Sequence, residues 1–160
     1  MPVEIVVNGA PRQVFVEPRR TLLDALRWDL GLTGAKRVCD EGDCGACTVI
    51  LDGKPVYACL VLAVDAEGRS VETVEGLAGP DGAPHPVQRA FVADEALQCG
   101  FCTPGQVVSV CALLRENPSP TEDDVRRAIA GNLCRCGTYP RIVAAARDAA
   151  AEIRGDRRTG

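Results

Sequence analysis

Nine cysteines stand among 160 residues, and their spacing is what could do chemistry. In the stretch GNLCRCGTYPR, residues 131–141, Cys134 and Cys136 are one residue apart. A disulfide across a single residue would be strained, because the bridge has a narrow geometry. A zinc site more often draws on cysteines two to four residues apart. The start of the chain, MPVEIVVNG, has neither the basic region nor the cleavage site of a signal peptide. The sequence therefore predicts a cytoplasmic protein and leaves open export together with a partner. Thiols stay reduced in the cytoplasm, so this many cysteines point to metal rather than to disulfides. An odd number also leaves at least one thiol over in any pairing scheme.

Eight of the nine fall into two quartets. Cys39, Cys44, Cys47 and Cys59 follow C-x4-C-x2-C-x11-C, the opening spacing of plant-type [2Fe–2S] ferredoxins. A loop of this length can wrap one side of a cluster while the distant fourth cysteine closes the other. Gly42 and Gly45 lie inside it, and glycine can take the positive φ that turns backbone N–H groups toward cluster sulfurs. Such hydrogen bonds stabilise an anionic cluster and help set its potential. A four-cysteine zinc site and buried free thiols are the alternatives. Cys99, Cys102, Cys134 and Cys136 follow C-x2-C-x31-C-x-C. Each of these two pairs falls just before an expected helix, whose N-terminus offers free N–H groups and partial positive charge. A [2Fe–2S] core has two irons, each needing two thiolates. The C-x2-C pair can take one iron and the C-x-C pair the other, which makes chemical sense of the one-residue spacer.

The elements that must position these loops divide into two regions. VEIVVNG and RQVFVEP alternate apolar and polar residues around Asn8-Gly9, a strong hairpin signal. Thr21 caps a short helix, TLLDALRWDLG, that stops at Gly31. CTVILDGKPVYACLVLAV reads as two more strands joined at Asp52-Gly53, and RSVETVEG as a last one. EGLAGPDGAPHP then reads as a linker. Beyond it come helices over PVQRAFVADEALQ, from a Thr103-Pro104-Gly105-Gln106 capping box through VVSVCALLREN, from Ser119-Pro120-Thr121-Glu122 over TEDDVRRAIAGN, and over YPRIVAAARDAAAEIR. The expected fold is α+β: a ferredoxin-like domain over 1–75, a linker over 76–85, an all-α domain over 86–154 able to form a four-helix bundle, and a frayed tail over 155–160.

Composition narrows the rest. Apolar residues make up 46%, enough for a core, but aromatics only 4%, so alanine, valine and leucine must fill it. The net charge of −4, with no basic run outside RGDRRTG, argues against nucleic acid, and no apolar run is long enough to span a membrane.

CDEGDCGACTVILDG, QCGFCTPGQ and GNLCRCGTYP together resemble the small iron–sulfur subunit of the xanthine oxidase family of molybdenum hydroxylases, over residues 3–150. The resemblance implies a β-grasp ferredoxin-like domain, then a four-helix bundle, with one [2Fe–2S] cluster in each. It implies electron transfer from molybdopterin, in its cytosine dinucleotide form, on a large partner subunit where substrate is hydroxylated. It also implies that Gln98 and Cys136 lie against the pterin. After the C-x-C pair many members read Thr-Gly-Tyr, whereas this chain has Gly137-Thr138-Tyr139. That variant resembles the isoquinoline 1-oxidoreductase and aldehyde dehydrogenase type, which passes electrons to a cytochrome or another external acceptor; a FAD subunit is the other possibility. Asp40, Glu41 and Asp43 would then give the acceptor an acidic rim to meet. A stand-alone two-cluster ferredoxin or redox sensor is the competing function, and a zinc-scaffolded interaction module a third.

The remaining residues invite plainer readings. Cys111, on an apolar helical run, reads as a buried structural thiol. His85 reads as a solvated linker residue, Trp28 as helix packing, and Tyr139 as packing near the second cluster. Arg135, between two ligands, reads equally as a partner for an acidic cofactor and as a solvent-facing side chain. The single histidine has no candidate nucleophile beside it, and GDCGAC lacks the Lys-Ser/Thr end of a phosphate loop. No catalytic acid or base stands out.

Overall fold

In the computed structural model, which describes residues 1–156, strands β1 (Pro2–Val7) and β2 (Ala10–Phe15) form the expected antiparallel hairpin. Alternation along β1 buries Val3, Ile5 and Val7 on one face. They pack against Leu22, Leu23 and Leu26 of the next segment. That segment begins as α1 (Leu22–Asp24), where the Thr21 hydroxyl accepts the Asp24 N–H at 3.1 Å. It then widens into a π-helical turn over Ala25–Asp29. Trp28 does not pack as expected. It is 65% exposed, with the Arg27 guanidinium 5.7 Å from its ring centroid.

Strands β3 (Thr48–Leu51), β4 (Lys54–Tyr57) and β5 (Ser70–Glu72) complete a five-stranded sheet of order β2-β1-β5-β3-β4, in which only β1 and β5 run parallel. The long strand expected through Val64 ends at Tyr57. Residues Ala58–Leu60 and Ala63–Ala66 form 3-10 turns instead. Their backbone bonds go elsewhere: Leu22 N–H donates to Val61 O at 2.7 Å and Ala63 N–H to Arg20 O at 2.8 Å. Cys59 lies in the first of these turns and is buried.

The expected linker is partly built in. Val74–Leu77 is a 3-10 turn, and Leu77 is buried among the helices. Helix α2 (Pro86–Ala93) ends earlier than its sequence pattern predicts, because Glu95 takes a left-handed φ of 49°. Gln98 and Cys99 therefore lie in a loop. Helix α3 (Thr103–Glu116) is capped at Cys102, not through a Thr103–Gln106 box, because the Gln106 amide is used to hold Asn132. Helix α4 (Glu122–Ala128) takes its cap from Thr121, with Asp124 closing the box; Ser119 is not involved. Helix α5 (Tyr139–Arg154) matches its sequence pattern. With few aromatics, the helices close on small side chains: Ala145, Ala146, Ala149 and Ala150 of α5 are buried with Val87, Phe91, Val108 and Val110. Ile50 of β3 joins that cluster, so the sheet and α3 share a face. The last four tail residues, 157–160, lie outside the described residues.

His85 is not a solvated linker residue. Its Nδ1 accepts the Val87 N–H at 3.2 Å while the Gln88 side chain accepts the His85 N–H at 2.8 Å, a reciprocal cap on α2. Burial, with Arg115 nearby, holds its pKa below the usual value. Cys111, whose sulfur lies 3.7 Å from the same nitrogen, is buried as expected, and burial pushes its thiol up to about 12. The depressed histidine fixes a sign. The unfolded chain takes up the proton first, so stability is full above the ordinary histidine pKa of about 6.5 and falls as pH drops below it. His85→Asn keeps a capping side chain but cannot titrate. Thermal unfolding should therefore show a flatter Tm profile below about pH 6.5 for that variant; identical profiles would exclude His85 as the source.

Candidate metal centres

The loop that carries three of the first four cysteines runs from the end of the π-helical turn to β3. Asp40, Gly42 and Gly45 all have positive φ (62, 85 and 69°), so the chain coils and turns its amides inward. Asp43 and Cys44 N–H groups each donate to Cys39 Sγ at 3.4 Å. The backbone of Glu41 does so as well, and together these bonds lower the Cys39 thiol to about 7 against a smaller effect of burial. Cys47 and Cys59 are buried, and burial pushes Cys47 up to about 12. The thiols meet in twos: Cys39 with Cys44, and Cys47 with Cys59.

The second quartet lies where two helices begin. Cys102 caps α3, and Cys134 and Cys136 immediately precede Thr138, the cap residue of α5. The strongest thiol interactions run between the two segments. Cys102 meets Cys134, and Cys99 meets Cys136, so each contact crosses between the C-x2-C and C-x-C segments. Two loops facing each other place first opposite last. Burial pushes Cys102 up to about 12. For Cys134 burial, the largest single effect, works upward, but hydrogen bonds from Thr138, whose hydroxyl lies 3.2 Å from the sulfur, together with those from Cys102 and Gly137, bring the thiol to about 7.

Among the described residues, no three histidine, cysteine, aspartate or glutamate side chains gather around one point. What the fold presents is four thiol pairs in two groups, with inward amides at one and two helix starts at the other. That donor set fits a two-iron, sulfide-bridged core, which asks for two thiolates on each iron.

The two loops are stitched together. Leu133 N–H donates to Cys44 O at 2.8 Å, so one hydrogen bond links a residue beside Cys134 to the backbone of Cys44. Tyr57 O–H donates to Gly131 O at 3.1 Å. Tyr139 O–H accepts the Cys134 N–H at 2.7 Å, which places it beside that cysteine as the sequence predicts. Sequence reasoning missed Asn132, which is buried and bonded from its own loop to Gly45 of the first loop, to Thr48 of β3 and to Ser109 of α3. Only its place two residues before Cys134 could have drawn attention to it.

Gln98 is exposed and lines an open groove with Val92, Leu97, Thr138 and the ion pair Glu95–Arg141. Cys99, Arg135 and Cys136 are exposed too, beside exposed Phe101 and Leu133. At the first loop the rim is less acidic than its sequence suggests. Arg37 pairs with Asp40 at 2.6 Å and Asp24 at 3.1 Å, leaving Glu41 and Asp43 as its open charges next to exposed Val38 and Leu60. Gly42 packs against that Leu60. Among the described residues no helix is long and apolar enough to cross a membrane.

Residues 5–77 match the family described as a 2Fe-2S iron-sulfur cluster binding domain, and residues 73–147 the family described as a [2Fe-2S] binding domain. The nicotine 6-hydroxylase small subunit of Paenarthrobacter nicotinovorans is 51% identical over 151 residues, covering 94% of this chain and 90% of that one. Quinoline 2-oxidoreductase from Pseudomonas putida 86 contains a chain that superposes with a TM-score of 0.90 at 47% identity, over 98% of both chains. The aldehyde oxidoreductase from Desulfovibrio desulfuricans superposes with a TM-score of 0.93 at 48% identity, over 98% of this chain but 18% of its own much longer one.

Proposed function

Since the chain belongs to the iron–sulfur subunits of the xanthine oxidase family of molybdenum hydroxylases, we propose that it carries electrons from a molybdenum site on a large partner subunit to an external acceptor. The observation that carries this reading is the pairing of eight cysteines at two loops joined by the Leu133–Cys44 hydrogen bond. Cys39 and Cys44 would hold one iron of the first cluster, and Cys47 and Cys59 the other. Cys99 and Cys136 would hold one iron of the second, and Cys102 and Cys134 the other. A bound [2Fe–2S] cluster supplies one-electron storage. The inward amides around Cys39 and the Thr138 bonds on Cys134 favour the thiolate form there, and the buried pair Cys47 and Cys59 keeps water from one side.

The division follows the same reading: a β-grasp domain over 1–75, a linker over 76–85, and a four-helix bundle over 86–154. The second domain faces the partner. Gln98 and Cys136 lie on the exposed, partly apolar face with Phe101 and Leu133, and the Gln98 amide can both donate to and accept from a pterin edge. The cofactor there would be molybdopterin in its cytosine dinucleotide form. The first domain faces the acceptor, a cytochrome or a FAD-bearing subunit, through Glu41, Asp43, Val38 and Leu60. A free-standing ferredoxin has less support, because a simple shuttle needs only the first domain.

Metal analysis of the purified complex should find two irons and two sulfides for each of two clusters, with two distinguishable paramagnetic signals on reduction. A single cluster, or stoichiometric zinc, would overturn the reading. Gln98→Ala should slow reduction of both clusters by substrate while leaving iron content intact. Reduction at the parent rate would remove the pterin contact from the proposal.

A further inference from the structure

We propose that Asn132 is a positioning residue that fixes the separation and orientation of the two clusters, an inference that rests on the two-cluster reading above. Asn132 is 3% exposed, and the polar atoms of its side chain are engaged. The amide nitrogen donates to Gly45 O at 2.9 Å, in the first cysteine loop, and to Thr48 Oγ1 at 3.1 Å, at the start of β3. The amide oxygen accepts from the Ser109 hydroxyl at 2.9 Å, on the helix that starts at Cys102. The Asn132 carbonyl accepts from Gln106 Nε2 at 2.8 Å and from Tyr139 O–H at 3.3 Å. One residue therefore holds the segment between Cys44 and Cys47, the helix behind Cys102, and the approach to Cys134.

The fit leaves little slack. A Cβ on Gly45 would stand 2.8 Å from the Asn132 amide nitrogen, and one on Gly105 would stand 3.2 Å from it. An aspartate there would have the same shape but no donor, and would set a carboxylate against Gly45 O. Polar groups this deeply buried lose much when a partner is removed. The strain is relieved where the loops meet, by a shift of one cluster loop against the other. A merely structural role would lower stability without moving the clusters relative to each other.

Two reduced clusters couple magnetically, and the coupling falls steeply with separation, so it reads geometry rather than stability. In the full chain carrying both clusters, Asn132→Asp should keep its iron and sulfide but lose or smear the coupling seen in the parent. Thr48→Val, which removes one of the two acceptors, should shift it in the same direction. Thr48→Ser should restore the parent value. Val87→Ala, a cavity in the helical core at an apolar side chain that takes no part in the clamp's hydrogen bonds, should lower the Tm and leave the coupling unchanged. Unchanged coupling in Asn132→Asp overturns the proposal. If that variant fails to keep its clusters, unchanged coupling in Thr48→Val overturns it instead. Two clusters with no measurable coupling in the parent also overturn it. A parent without two clusters overturns the cluster reading itself, and this inference with it.

Discussion

Cys44→Ala is expected to lose the first cluster and keep the second, whereas Cys111→Ala keeps both. Cys44 contributes a thiol that meets Cys39. The loop itself should survive the change, because the Cys44 carbonyl, not its side chain, accepts from Leu133. The loss should therefore be confined to one of the two reduced paramagnetic signals, with iron and sulfide falling by half. Cys111 is buried on α3 between helices, and its sulfur faces His85 rather than another thiol. Its removal leaves a small cavity and should cost about 1 kcal/mol of stability. Purified variants analysed for iron and for both reduced signals decide the matter. A Cys111→Ala protein missing either signal would show that the ligand assignment is wrong.

Much of this was legible in the sequence because it is local. The Asn8-Gly9 hairpin, the Thr21 cap and helix α5 each depend on residues within a few positions, and each formed as expected. What escaped depends on contacts between distant segments. The strand predicted past Tyr57 breaks because residues 61–63 bond back to residues 20–22. Gln106 has the spacing of a capping residue but is claimed by Asn132, and His85 looks like linker until Gln88 and Cys111 are placed around it. The quartets were readable as spacing, but the thiol contacts across the two segments were not. Two loops that meet face to face join Cys99 to Cys136 and Cys102 to Cys134, and no spacing rule encodes which loop ends face which.

The same long-range fit makes Gly45 the position where the smallest substitution should do the most damage. Gly45→Ala meets two penalties. Its φ of 69° costs a residue with a Cβ about 1–2 kcal/mol. The added carbon also runs into Gly131 O and stands 3.0 Å from Asn132 Cα, and both are backbone atoms of the opposite loop that cannot swing aside. Together with the clamp bonds these contacts disturb, the expected loss is more than about 4 kcal/mol. Gly42→Ala is the matched comparison. Its φ of 85° carries similar strain, but its added carbon meets the Leu60 side chain, which is exposed and free to turn. That variant should lose only about 1–2 kcal/mol. Denaturant unfolding of the two proteins gives the difference. Amide exchange at Leu133 gives its location, because the bond to Cys44 O should open in Gly45→Ala and hold in Gly42→Ala. Equal losses in the two variants would mean that the loops do not meet at Gly45 as tightly as Gly131 and Asn132 require.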